Sequence, residues 1–221
     1  MDSNLRPNEF RAKTAIIMFG IVLLVQTFSL ISGYLQYKLV NELALGHFVA
    51  ESELEYNDSR ERIIVVVYVV VLLLSLIGFI RWFRRSYYNL HLKAEVLSYT
   101  EGWAAGSWFI PIINFVRPYK IMKELHLETN NLIIRADKNL EVSNYIVLIN
   151  LWWTLWITTT IVGNVCNRMY TNPHTIDDYL NLSILRMIPL IFGIPFSIVA
   201  MILIIKHSAS EIQFAKIYPS E

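Results

Sequence analysis

The chain has 221 residues, 55% of them hydrophobic, with 19 Lys and Arg against 18 Asp and Glu. Soluble domains are about 45–50% apolar, so an ordinary water-soluble domain is excluded, and a net charge of +1 gives no field that would gather nucleic acid, for which no role is expected. The single cysteine, Cys166, excludes an internal disulfide and reads as a small apolar residue near a helix end.

The apolar residues are grouped. Four long windows carry no charge: Thr14–Tyr37, Ile63–Ile80, Val142–Asn167 and Met187–Ile205. A helix rises about 1.5 Å per residue and a hydrocarbon core is about 30 Å thick, so some twenty residues cross it. The windows predict membrane helices over about 14–36, 62–80, 144–166 and 184–206. The first follows Arg6, Arg11 and Lys13, but its apolar run exceeds that of a signal peptide, so it reads as an uncleaved anchor. Gln26 and Ser29 are expected to face the bundle interior. The loop at about 37–61 mixes apolar residues with acids and should be partly helical. In the second span the run VVVYVVVLLL suggests a strand by composition. Its length and its Arg62 and Arg81 flanks argue for a helix, because a lone strand leaves its backbone unpaired in lipid.

Between spans two and three lies a fifth charge-free window, Gly102–Val116, too short to cross. It holds Trp103 and Trp108, which favour the headgroup level, and Pro111, which breaks a straight helix, with Pro118 just beyond. A re-entrant or interfacial segment at about 102–118 is expected. Residues 119–127 suggest a short amphipathic helix with Ile121, Met122 and Leu125 inward. Span three carries Trp152, Trp153 and Trp156. Span four contains Pro189 and Pro195, which predict a kink, and a polar tail follows.

Positive charge sets orientation. The segments before span one, between spans two and three, and after span four hold fourteen Lys and Arg, the other two loops five. By the positive-inside rule both termini and the middle segment are cytoplasmic. The expectation is an all-α, single membrane domain over residues 1–221, multi-pass in a cell's inner membrane.

From Trp82 onward the chain resembles a bacterial membrane family known as domain-of-unknown-function family 4328. Trp82, Arg85, Tyr87, Asn89 and Leu90 fit a W-x-x-R-A-Y-x-N-L pattern, with Ser86 in place of Ala. Gly102-Trp103-Ala104, Trp108-Phe109, Pro111, Asn114 and Arg117-Pro118-Tyr119 fit a second, more specific block, with Phe115 where Leu is usual. The Trp152-Trp153 pair with Trp156, and Gln213, also fit. The resemblance covers about residues 62–217. It implies a polytopic bacterial membrane protein and carries no activity with it.

Chemistry is sparse. No phosphate-binding loop, C-x-x-C, H-E-x-x-H or G-x-S-x-G occurs, so no metal site or cofactor is expected. Arg85 and His91 match the loose Arg-x5-His spacing of some ribonucleases, where a cation steadies phosphate charge and the imidazole moves a proton; a basic membrane flank is the plainer reading. The outer acids Glu51, Glu53, Glu55, Asp58 and Glu61 lack a calcium-loop pattern and read as a solvated face. His174 with Asp177 and Asp178 reads as a capped loop rather than a metal site. The five histidines are scattered, and a haem pair is unsupported. The segment bearing Trp103, Gly106, Trp108, Pro111, Asn114, Arg117, Pro118 and Tyr119 is the first place to look for function. Arg85, Tyr87, Asn89 and His91 come second. Three functions follow as expectations. The leading one is a scaffold or regulatory subunit acting through a protein partner or a homo-oligomer, in contact with membrane lipids. An oligomeric pore lined by 102–118, serving a stress or defence system, is the second. A membrane-bound nuclease using Arg85 and His91 is the third.

Overall fold

Each long charge-free window is carried by a helix in the computed structural model of the protein, which describes residues 4–169 and 173–218. The helices are α1 (Glu9–Ala44), α2 (Glu51–His91), α3 (Trp103–Gly106), α4 (Arg117–Ala136), α5 (Ile146–Arg168) and α6 (Ile176–Ile217), with a 3-10 turn at Ile113–Phe115 before α4. There is no strand among the described residues. Four of them, α1, α2, α5 and α6, are long and apolar enough to cross a membrane. At about 1.5 Å per residue, α1, α2 and α6 run some 54–63 Å, well past a core of about 30 Å. Much of the expected outer loop is therefore helix continuing from α1 and into α2.

Local chemistry sets the helix ends. α1 closes with Gly46 at φ 76°. The Gly46 N–H donates to the Leu43 carbonyl and the His47 N–H to that of Glu42, both at 3.0 Å. That pairing needs a left-handed residue, which glycine adopts without a Cβ clash. α6 opens with a capping box. Asp178 accepts from the backbone N–H groups of His174 and Thr175, at 3.0 and 2.9 Å, while the Thr175 hydroxyl accepts from the Asp178 N–H at 3.2 Å. The second outer loop thus uses Asp178 as a helix cap. Glu51, Glu53, Glu55 and Asp58 are exposed.

Two expectations need correction. The amphipathic helix expected at 119–127 is α4, twenty residues long, burying Pro118, Ile121, Met122, Leu125, His126, Thr129, Asn130 and Ile133. That spacing is one continuous helical face, and its polar members hid its C-terminal half. The polar tail expected after span four is the end of α6, with His207, Ser210 and Phe214 buried. Pro189 and Pro195 both lie inside α6.

The chain forms two compact units. One comprises residues 1–19, 74–153 and 199–221; the other comprises 20–73 and 154–198. We call the first the inner unit and the second the outer unit, as labels alone. The inner unit has an aromatic centre. Phe79 touches Phe19, Trp82, Phe83, Trp108 and Trp152, with ring centroids 5.4–6.1 Å apart. Gly78 lets α2 approach α1, since a Cβ there would lie 3.7 Å from the Ala15 Cα. In the outer unit Gln26 is buried, as expected, and accepts a hydrogen bond from the Ser197 hydroxyl at 3.0 Å. Gly193 makes room for it: a Cβ at that position would meet the Gln26 amide nitrogen at 2.7 Å. Arg60 donates to the Ser32 hydroxyl and to Asn57, at 2.8 and 2.6 Å, and Ser32 also bonds Glu61.

Candidate functional site

The segment 102–118 is a broken helix. Short α3 ends at Gly106, and Pro111 cannot donate a backbone bond to carry it on. The chain then makes a tight reversal in which the Ile113 N–H donates to the Pro111 carbonyl at 2.8 Å. The residue between them, Ile112, has φ 67° and ψ −48°. This is the γ-turn conformation that L-residues avoid, and a β-branched side chain makes it worse, at a cost of about 1–3 kcal/mol. Ile112 is 82% exposed and Phe109 70%. Strained backbone therefore presents an apolar tip, flanked by exposed Ile110, Phe115 and Val116.

The base of the tip is braced. The Arg117 guanidinium lies 3.8 Å from the centroid of the Trp103 ring and 5.3 Å from that of Tyr99. A desolvated cation–π pair of this kind contributes up to about 2 kcal/mol. Trp108 packs on Phe79, Trp152 and Trp153. Pro118 is buried in the first turn of α4, where a missing N–H costs nothing. The Tyr119 hydroxyl donates to Asn150 at 2.8 Å, and its ring stacks on Trp153. The Asn114 side-chain oxygen and the Arg117 Nη1 are buried without a hydrogen bond among the described residues. A Cβ on Gly106 would meet open space. The structure thus gathers Trp103, Trp108, Arg117 and Tyr119 into a base and leaves the tip outside it.

The secondary residues leave α2 in different directions. Six residues of helix turn about 600°, so Arg85 and His91 stand about 120° apart around the axis. Arg85 approaches the Tyr88 ring, whereas His91 meets the Tyr87 ring edge-on at 4.8 Å. The buried Tyr87 hydroxyl donates to Glu124 at 2.5 Å, and Glu124 also accepts from the Ser98 N–H at 2.7 Å. α2, α4 and the loop between them are thereby tied together.

Asn89 does more than its place in a sequence motif suggests. Its side-chain oxygen accepts from the Arg6 N–H at 3.0 Å, and its amide donates to the Arg6 carbonyl at 2.9 Å. The same amide donates to Glu211 at 2.9 Å. Glu211 is enclosed further by Asn8, whose amide donates to both carboxylate oxygens at 3.3 and 3.0 Å, and by the Ser86 hydroxyl at 3.3 Å. Burial pushes the Glu211 carboxyl above its ordinary range, against the pull of these donors and of Arg85. This carboxylate cage joins the N-terminal segment, α2 and α6, and the sequence reading missed Asn8 and Glu211. It opens beside a cleft of about 730 Å³ lined by Pro7, Phe10, Lys13 and Ile212, among others.

A second missed group is centred on Tyr145. Its hydroxyl and the His207 Nδ1 share a hydrogen bond at 2.8 Å, and the His126 ring lies 3.9 Å away, centroid to centroid. His126 is flanked by Asn130 and Asn144, each at 3.5 Å. Burial holds the His126 imidazole below its ordinary value, against the pull of Asn144. Two of the scattered histidines therefore meet on one tyrosine. The signal was available: the buried positions 207, 210 and 214 have the i, i+3, i+7 spacing of one helix face.

The arginines form a third feature. Arg6, Arg11, Arg81, Arg84 and Arg85, with Tyr88 and Glu101, line a cleft of about 270 Å³. Arg84 pairs with Glu101 at 2.9 Å.

Four membrane-length helices, a broken interhelical segment and an inner unit rich in buried polar contacts define a multi-pass α-helical membrane protein. The chain belongs to the family described as domain of unknown function (DUF4328), whose pattern matches residues 46–209. No significant match occurs among curated proteins or among solved structures.

Proposed function

We propose that the protein is a membrane scaffold or regulatory subunit that works through contact with a partner rather than through chemistry of its own. In this reading it sits in the inner membrane of a bacterium with both termini cytoplasmic, and it is bathed by membrane lipids. One observation carries the proposal: the strained Ile112 turn, which presents Phe109 and Ile112 outward from a rigid aromatic base. Strain of this size persists where the surrounding structure over-determines it and function uses it. The buried polar groups of the inner unit point the same way. Tyr87 bonds α2 to α4, Asn89 bonds α2 to Glu211 of α6, and Tyr145, just before α5, bonds His207 of α6.

The test is site-specific photocrosslinking from positions 109 and 112 in native membranes, alongside the native mass in lipid nanodiscs. The expected result is one dominant protein adduct, either a second copy or a distinct partner, that disappears in Ile112→Asp. Adducts to lipid alone from a monomeric protein would overturn it and leave the segment as an interfacial brace.

The pore reading draws on Asn114, whose buried oxygen lacks a bond among the described residues and suits a water-facing lining of an oligomer. A closed ring of four or more copies, with conductance altered by Asn114→Leu, would favour it. The nuclease reading gains no support from the divergent directions of Arg85 and His91.

A further inference from the structure

The cleft at the inner ends of α1 and α2 is lined by five arginines and one acid, Glu101. The positive-inside rule accounts for basic residues flanking the spans, and lysine serves that rule as well as arginine. It does not account for their convergence. Arg6 and Arg11 come from the start of the chain, and Arg81, Arg84 and Arg85 from the far end of α2. All line one concavity without a lysine among them.

The convergence is built. Asn89 clamps the Arg6 backbone through both its N–H and its carbonyl. The Arg6 guanidinium is thereby carried to 4.6 Å from the Tyr88 centroid, and Arg85 lies 5.7 Å from the same ring. Tyr88 is thus a shared platform for two cations from distant parts of the chain. Like charges held this close repel. Arg11 and Arg85 are both pulled below the ordinary guanidinium value, first by burial and then by neighbouring arginines. Arg84 alone of the five forms an ion pair among the described residues, with Glu101. Glu211, behind the cleft, is near enough to feel Arg85 but spends its oxygens on Asn8, Asn89 and Ser86.

We propose that this arginine cleft is a binding site for a phosphate-bearing anion. Guanidinium forks match phosphate oxygens in pairs, which a lysine ammonium cannot do. The volume is just under the range of small-molecule sites, about 300–1,000 Å³, and suits a phosphate, a diphosphate or the phosphodiester of a lipid headgroup. An anion there would relieve the repulsion and compete with Glu101 for Arg84. Glu101 immediately precedes the broken segment, so occupancy bears on the anchoring of that segment.

The full-length protein in neutral phosphatidylcholine nanodiscs is titrated calorimetrically with inorganic phosphate and with pyrophosphate. In parallel, nanodiscs containing phosphatidylglycerol are used to count retained lipid by native mass spectrometry. Saturable binding in the first arm identifies a soluble ligand, and selective retention in the second a lipid; either supports the site. The double variant Arg81→Gln with Arg85→Gln should weaken whichever binding is found by about tenfold or more, the scale of one lost charged hydrogen bond. The exposed pair Arg135→Gln with Lys138→Gln removes the same charge elsewhere and should leave it unchanged. Arg85→Lys keeps the charge, loses the fork and should also weaken binding, and it decides the matter if the double variant fails to fold. No saturable binding in either arm, or equal weakening by the cleft pair and the control pair, would overturn the proposal.

Discussion

Among the described residues the largest fully buried side chains, such as Trp82, Trp152, Tyr87, Phe83 and Phe214, lie in the inner unit. The side chains most deeply buried in the outer unit, Val22, Ser183 and Ser197, are smaller. There Val65, Val66, Val67, Val69 and Val70 follow each other along α2 at 42–57% exposure, and Phe28 of α1 is 63% exposed. In water such a surface would aggregate, while in lipid it is already solvated. The outer unit holds its helices together with a few small or polar contacts, Gly193 against Gln26 and Ser32 against Arg60. Helices gain little from burying leucine or valine in a solvent that is equally apolar. The inner unit packs as a soluble domain does, with aromatic rings and enclosed hydrogen bonds. The carboxylate cage around Glu211 and the arginine cleft lie with that packing.

The contrast is tested most severely by truncating an aromatic in each unit. Trp152→Ala should cost about 3–5 kcal/mol, the range for deleting a large buried ring. Phe28→Ala, at an exposed ring of the outer unit, should cost well under 1 kcal/mol. Thermal unfolding in a neutral detergent reads both. Equal losses would mean that Phe28 is covered by protein, and the lipid account of the outer unit would be wrong.

Next in size is Asn89→Ala. It strips the Arg6 backbone of both its bonds and Glu211 of one donor. Unsatisfied buried groups cost about 1–3 kcal/mol each, so a total near 2–3 kcal/mol is expected. Limited proteolysis should release the N-terminal segment before the rest of the chain is cut. Global unfolding without early cleavage there would show that Asn89 is not the clamp.

Glu211→Gln sharpens the same point through pH. The Glu211 carboxyl is a weaker acid in the fold than in the unfolded chain, where its value is near 4.5. Below that value both states are protonated and the difference is absent. As pH rises through the interval up to the folded value, the unfolded chain ionises first and stability is lost. Melting temperature followed from pH 4 upward should therefore fall in the wild type relative to the glutamine variant. A relative rise with pH would mean that the cage binds the carboxylate more strongly than burial opposes it.

Most of the fold was legible in the sequence because lipid imposes a crude rule. Twenty uncharged residues make a span; three of the four windows fall whole in α1, α2 and α6, and the third falls in α5 from Ile146 onward. Gln26 was legible for the same reason, as a polar residue inside such a window. The inner unit was harder. α4 buries His126, Thr129 and Asn130 on its apolar face, and the end of α6 buries His207 and Ser210, so a search for apolar stripes stops short on both. Trp103, Trp108, Arg117 and Tyr119 were found because aromatics beside a proline in a short apolar window are unusual. Asn8 and Glu211 lie 203 residues apart, and nothing local in either predicts the bond between them. The convergence of Arg6 with Arg85 has the same origin in tertiary structure.

The smallest expected effect lies in the outer unit. Gln26 accepts from Ser197 across a distance that Gly193 keeps short. Hydrogen bonds between membrane helices average only about 0.6 kcal/mol, because the separated helices find other partners. Gln26→Leu should therefore cost about that much, although the residue is buried. Part of the loss comes back as leucine fills the space beside Gly193. Steric trapping of unfolding in bicelles resolves a change of this size. A loss several times larger would mean that the Gln26 contact anchors the outer unit as Asn89 anchors the inner one. Each unit would then be anchored internally by the same kind of contact.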